Sequence, residues 1–130
     1  YLSYMKYIIS ERQYKVLTED KERKILKVPG LEVFGGWEGL QIFLKGMKNP
    51  LFSISGDLNL SHSDITSLDN LVSVEGNLVL LRTSVKSLGN LKYVGGYLYL
   101  SKSQIQSLGN LEYVGGFLDL GRTPIESLDN

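Results

Sequence analysis

The sequence predicts an α/β solenoid of short parallel strands and short helical or 3-10 turns, preceded by a small α/β cap. Three observations predict it. A twenty-residue unit recurs four times without insertion or deletion, over Leu51–Asn70, Leu71–Asn90, Leu91–Asn110 and Leu111–Asn130. Leucines alternate inside each unit with the two-residue period of a half-buried strand. Glycine and serine recur at fixed offsets, where a coil has to bend. A constant period of this size means that each coil buries its apolar face only against its neighbours.

Written once, the unit is L-x-x-[VI]-x-G-x-L-x-L-x-x-[ST]-x-[IV]-x-S-L-[GD]-N. The G-x-L-x-L stretch reads as one strand per coil, with Leu58/Leu60, Leu78/Leu80, Leu98/Leu100 and Leu118/Leu120 turned inward. Leu51, Ile54, Ile65 and Leu68, with their repeats, complete six apolar core positions per coil. At roughly 1.5–3 kcal/mol for each fully buried aliphatic, this core dominates stability, against a large conformational entropy cost. Gly56, Gly76, Gly96 and Gly116 precede the strands and read as corners, through positive φ or close backbone approach. The doubled Gly95-Gly96 and Gly115-Gly116 could suggest a phosphate loop, but no Lys-Ser/Thr follows and no long helix opens there. Ser67, Ser87, Ser107 and Ser127 are placed to cap a short turn, in which Asn70, Asn90, Asn110 and Asn130 satisfy backbone groups rather than bind ligands. Ser63, Thr83, Ser103 and Thr123 follow the strand, where their hydroxyls can pair with backbone groups that the bend frees.

Residues 1–50 read as the N-terminal cap and residues 51–130 as the four repeats. Ser10-Glu11-Arg12-Gln13 is a capping-box pattern, with Ile9 and Tyr14 placed as a hydrophobic staple. A strand over Lys6–Ile9, a helix over Glu11–Thr18 and a second strand over Lys24–Val28, ended by Pro29-Gly30, follow from it. Trp37–Lys45 carries apolar residues at 37, 40, 43, 44 and 47, which suits a helix laid on the first coil. Trp37 is then cap core, not a ligand-stacking residue. Met5-Lys6-Tyr7 has the look of a translation start, and the opening M-K-Y-I-I-S-E-R-Q-Y resembles those of small phage and environmental bacterial reading frames. No polar cap follows the last coil, so the expectation is a longer parent chain or a partner over that end.

Composition narrows the function classes. Residues 1–48 hold nine Lys/Arg against six Asp/Glu, and residues 49–130 hold five against eight, so the whole is neutral. Neither half is basic enough for a dedicated nucleic-acid binder. There are no cysteines, which excludes disulfides and thiolate zinc sites. No apolar run spans a bilayer and no signal peptide is seen, so a cytoplasmic or virion location is expected.

The segment L-x-L-x-x-[ST]-x-[IV] resembles the conserved segment of leucine-rich repeats, with Ser63, Thr83, Ser103 and Thr123 where that family has Asn. The V-x-G-x-L-x-L stretch is also similar to the repeats of receptor L domains, which are leucine-rich-like β-helices. The similarity covers residues 51–130 and extends toward Leu31, where Leu31, Phe34 and Gly36 match the phase. It implies a right-handed solenoid whose members mostly bind proteins, and hence a binding surface rather than a reaction.

If the leucine pairs point inward, their neighbours point out. Val79, Leu81, Tyr97, Tyr99 and Phe117 then form one apolar, aromatic patch on the strand face, of the kind that marks partner sites. Ladders of this sort also reinforce strand stacking by themselves. Beside the patch runs the column His62, Arg82, Lys102, Arg122, whose stacked like charges an acidic partner would relieve; a solvated, screened rim is the plainer view. Catalysis has little support. Ser61-His62-Ser63-Asp64 is too local for a triad, and Asp57, Asn59, His62 and Asp64 could be drawn as a metal cluster in the first coil alone. The sequence therefore predicts a non-enzymatic protein-binding module with no cofactor or metal, no nucleic acid and no membrane. The alternative is a structural subunit of a larger assembly, such as a phage particle.

Overall fold

Each coil folds around its glycine corner into two short strands, where the sequence suggested one. The computed structural model describes residues 25–125; the expected strand at Lys6–Ile9 and helix at Glu11–Thr18, with Ser127 and Asn130 of the last turn, lie outside the described residues. The L-x-x-[VI] segments form β2 (Phe52–Ile54), β4 (Leu71–Val74), β6 (Tyr93–Val94) and β8 (Tyr113–Val114). With β1 (Leu26–Val28) they build a five-stranded sheet in the order β1-β2-β4-β6-β8. The L-x-L segments form β3 (Leu58–Asn59), β5 (Leu78–Val79), β7 (Leu98–Tyr99) and β9 (Leu118–Asp119), a second sheet in the order β3-β5-β7-β9. All pairings are parallel, and in the second sheet residues twenty apart are partners, as in Leu78↔Leu98. The chain is a parallel-strand β-solenoid.

An irregular third side closes each coil. Its S-L-[GD]-N segment forms a single turn in which the Leu71, Leu91 and Leu111 N–H groups donate to the carbonyls of Leu68, Leu88 and Leu108. The preceding serines accept from the backbone two residues on, Ser67 Oγ from Asp69 N–H at 2.8 Å and Ser107 Oγ from Gly109 N–H at 2.9 Å. Asn70 and Asn110 reach back one coil to the carbonyls of Asn49 and Gly89. The hydroxyls of Thr83 and Thr123 donate to Leu80 and Leu120, which lets Thr83 sit buried. These side chains add hydrogen-bond partners to backbone groups at the bends.

The three sides enclose one core. Leu58, Leu60, Leu78, Leu80, Leu98 and Leu100 are buried, with Ile54, Leu71, Val74, Val85, Leu91, Val94 and Ile105. Leu118, Leu120 and Ile125 of the last described coil are partly buried against it. Leu51 departs from its expected core place. It is 36% exposed, while Phe52 is fully buried and pairs with Leu71. A register shift between Phe52 and Ser53 moves the first coil by one residue at that point.

The cap joins the solenoid directly. β1 pairs with β2, Leu26 opposite Phe52 and Val28 opposite Ile54. Leu31 and Phe34 do not continue the strand phase; Glu32–Phe34 is a 3-10 turn. The predicted helix is α1 (Trp37–Gly46), which buries Leu40 and Leu44 and sets the Trp37 ring 5.9 Å from Phe52. Trp37 is cap core. No helix among the described residues is long and apolar enough to cross a membrane.

Candidate partner-binding face

The outer face of the second sheet is built by the alternation that buries the leucines. Its first row, just after each glycine corner, is Asp57, Asn77, Tyr97 and Phe117. Asp57 Oδ1 accepts the Asn77 N–H at 2.8 Å, and Asn77 Oδ1 accepts the Tyr97 N–H at 2.7 Å. The corner glycines make room for these clamps, since a Cβ on Gly76 or Gly96 would collide with the Asp57 or Asn77 side-chain oxygen. In the next coil a ring replaces the oxygen. Tyr97 lies over Gly116 and stacks on Phe117, centroids 5.3 Å apart and planes 18° apart. The row thus passes from polar clamps to an aromatic stack as it runs along the solenoid.

The second row pairs Val79 with Tyr99 in register, and Tyr99 leans on Tyr97 at 5.7 Å. Val79, Tyr97, Tyr99 and Phe117 therefore form one continuous surface, with Leu81 beside Val79 in the same coil. Tyr97 is 39% and Phe117 69% exposed, and Val79, Leu81 and Tyr99 are half-buried. Tyr97 and Phe117 each turn one face to the other, so that face of each ring is closed to a partner.

His62, Arg82, Lys102 and Arg122 follow the strands as an exposed column. All four have left-handed backbone, with φ of 59°, 55°, 61° and 58°. This geometry is absent from the sequence expectation. The N–H groups of His62, Arg82 and Lys102 donate to the carbonyls of Leu81, Ser101 and Gly121 in the following coil. Backbone geometry therefore repeats from coil to coil, and no ion pair engages these side chains among the described residues. The ion pair present, Lys27 to Glu75 at 2.9 Å, lies on the first sheet.

A second aromatic ladder escaped the sequence reading. Tyr93 and Tyr113, opposite each other in β6 and β8, stack at 5.0 Å and 8°, and are 43% and 53% exposed. Its signal was present in K-Y-V-G-G and E-Y-V-G-G twenty residues apart, but was hidden while L-x-x-V was not read as a strand. Two clefts, of about 380 Å³ between Lys45 and Asp69 and about 340 Å³ between Leu51 and Tyr93, contain none of the outward residues of the second sheet. Asp57, His62 and Asp64 do not assemble: no three His, Cys, Asp or Glu side chains among the described residues converge on a metal-sized site. No known protein family, curated protein or solved structure matches the chain.

Proposed function

We propose that this chain is a non-enzymatic binding module that presents the outer face of its second sheet to a protein partner. The observation that carries the proposal is the continuity of exposed Tyr97 and Phe117 with half-buried Val79 and Tyr99 as one apolar surface, on a backbone held by hydrogen bonds between coils. Aromatic residues on a rigid frame give a partner large contact area with little ordering cost. The resemblance to leucine-rich repeats supports the same conclusion, since members of that family mostly bind proteins. Arg82, Lys102 and Arg122 border the surface and supply a charged rim.

A structural subunit of a larger assembly, such as a phage particle, is the second reading. It is favoured by the Tyr93–Tyr113 ladder, which gives the first sheet an exposed aromatic surface of its own, apart from the face on the second sheet.

Substituting Tyr97→Ala together with Tyr99→Ala tests the first reading. The double variant is expected to keep the wild-type circular dichroism spectrum and to lose most capture of a partner retained by the immobilised wild-type chain. Undiminished capture would remove this face from the function.

A further inference from the structure

We infer that the segment recognised by this face is a short, extended, acidic stretch of polypeptide carrying an apolar residue beside its carboxylates. The inference rests on the binding role proposed above and names the chemistry of the partner.

Left-handed backbone disfavours a side chain bearing a β-carbon and suits glycine. On its third side the solenoid holds that conformation with Gly89 (φ 55°) and Gly109 (φ 59°), and with Asp69 (φ 54°) in the first coil. At the margin of the second sheet it places Arg82, Lys102 and Arg122 in the same conformation. Consecutive cations stand about 4.8 Å apart, the spacing of paired strands, and none is neutralised by a described residue. The column therefore concentrates positive charge along a line of roughly 10 Å, which an extended chain advancing about 3.3 Å per residue covers in some four residues. Arginine at both ends allows two-pronged hydrogen bonding to carboxylates. Leu81 precedes Arg82 directly, and Val79 and Tyr99 lie in the adjacent row, so an apolar side chain of the same segment has a seat.

A nucleic acid fits less well. One face of Tyr97 and one of Phe117 are taken up by their mutual stack, which reduces the surface open to base stacking. Asp57 and Asp119 are exposed on the same face and oppose a long polyanion laid across it.

The probe is a fluorescein-labelled peptide of glutamates flanking two leucines, followed by fluorescence anisotropy at low and high salt. A lysine-for-glutamate peptide and oligothymidylate serve as comparisons. The glutamate peptide is expected to bind selectively, less tightly in high salt. Its binding is expected to weaken about tenfold in the triple variant Arg82→Gly, Lys102→Gly, Arg122→Gly, with no fall in melting temperature. The corresponding triple asparagine variant, which also tolerates left-handed backbone, repeats the test should the glycine variant fold poorly. Absence of binding, equal binding of either comparison, or indifference to both triple variants would overturn the inference. So would a dimer seen by light scattering that the triple variant dissolves, because the occupant would then be a second copy. If Tyr97→Ala with Tyr99→Ala abolishes partner capture while the peptide ignores the triple variants, the acidic chemistry fails and the binding face stands.

Discussion

Lys102 and Gly109 hold nearly the same backbone conformation, φ 61° and 59°, yet only one carries a β-carbon. The difference lies in what surrounds them. A Cβ on Gly109 would stand 2.8 Å from the backbone nitrogen and oxygen of Gly89 in the preceding coil, whereas Lys102 is exposed. Gly109→Ala should therefore destabilise the chain by about 2–4 kcal/mol, left-handed strain adding to overpacking. Lys102→Gly should lie between neutral and about 1 kcal/mol stabilising, since relief of the same strain slightly outweighs the extra freedom of glycine in the unfolded chain. Urea titration of both variants checks the pair, and a marked loss at Lys102 would mean that its side chain supports the fold. At this scale the sequence was informative about polar roles. The hydroxyls of Thr83 and Thr123 and the amides of Asn70 and Asn110 satisfy backbone groups as read. Left-handed geometry at Arg82 and Lys102 was illegible, because nothing in either residue type signals it.

The element scale separates what periodicity can and cannot reveal. Three leucine pairs from Leu58 to Leu100 alternate cleanly and are buried as the pattern requires. Beyond β1, which falls within the strand expected at Lys24–Val28, the first sheet was missed because its L-x-x-[VI] segments space their apolar residues three apart and show no two-residue alternation. Leu51 was misplaced because the repeat phase runs unbroken through the sequence, while the ladder slips one residue where β2 pairs with β4. Phe52 fills the core place that the repeat assigns to Leu51, and Trp37 packs on it. Phe52→Ala is expected to cost about 3–5 kcal/mol, the range for a buried aromatic truncation, and Leu51→Ala less than about 1 kcal/mol. Thermal unfolding of the two variants decides between them, and a larger loss at Leu51 would contradict the slipped register. The cap helix α1 was legible because ten residues allow an apolar face to declare itself.

On the scale of the whole molecule, stability is the sum of contacts between adjacent coils, and the candidate face is the reverse side of those contacts. The same two-residue alternation that turns Leu78, Leu98 and Leu118 inward places Val79, Tyr99 and Asp119 outward in register. The location of the candidate face was thus readable from the repeat. The use of ring faces was not, because whether Tyr97 meets Phe117 or a partner depends on the room left by Gly116. The most direct test compares equilibrium unfolding of Leu98→Ala with that of Tyr97→Ala plus Tyr99→Ala. Leu98→Ala should lose about 2–5 kcal/mol, and the tyrosine pair less than about 1.5 kcal/mol, the scale of a partly exposed ring contact. A tyrosine variant that unfolds while Leu98→Ala melts like the wild type would turn the solenoid inside out and leave no binding face.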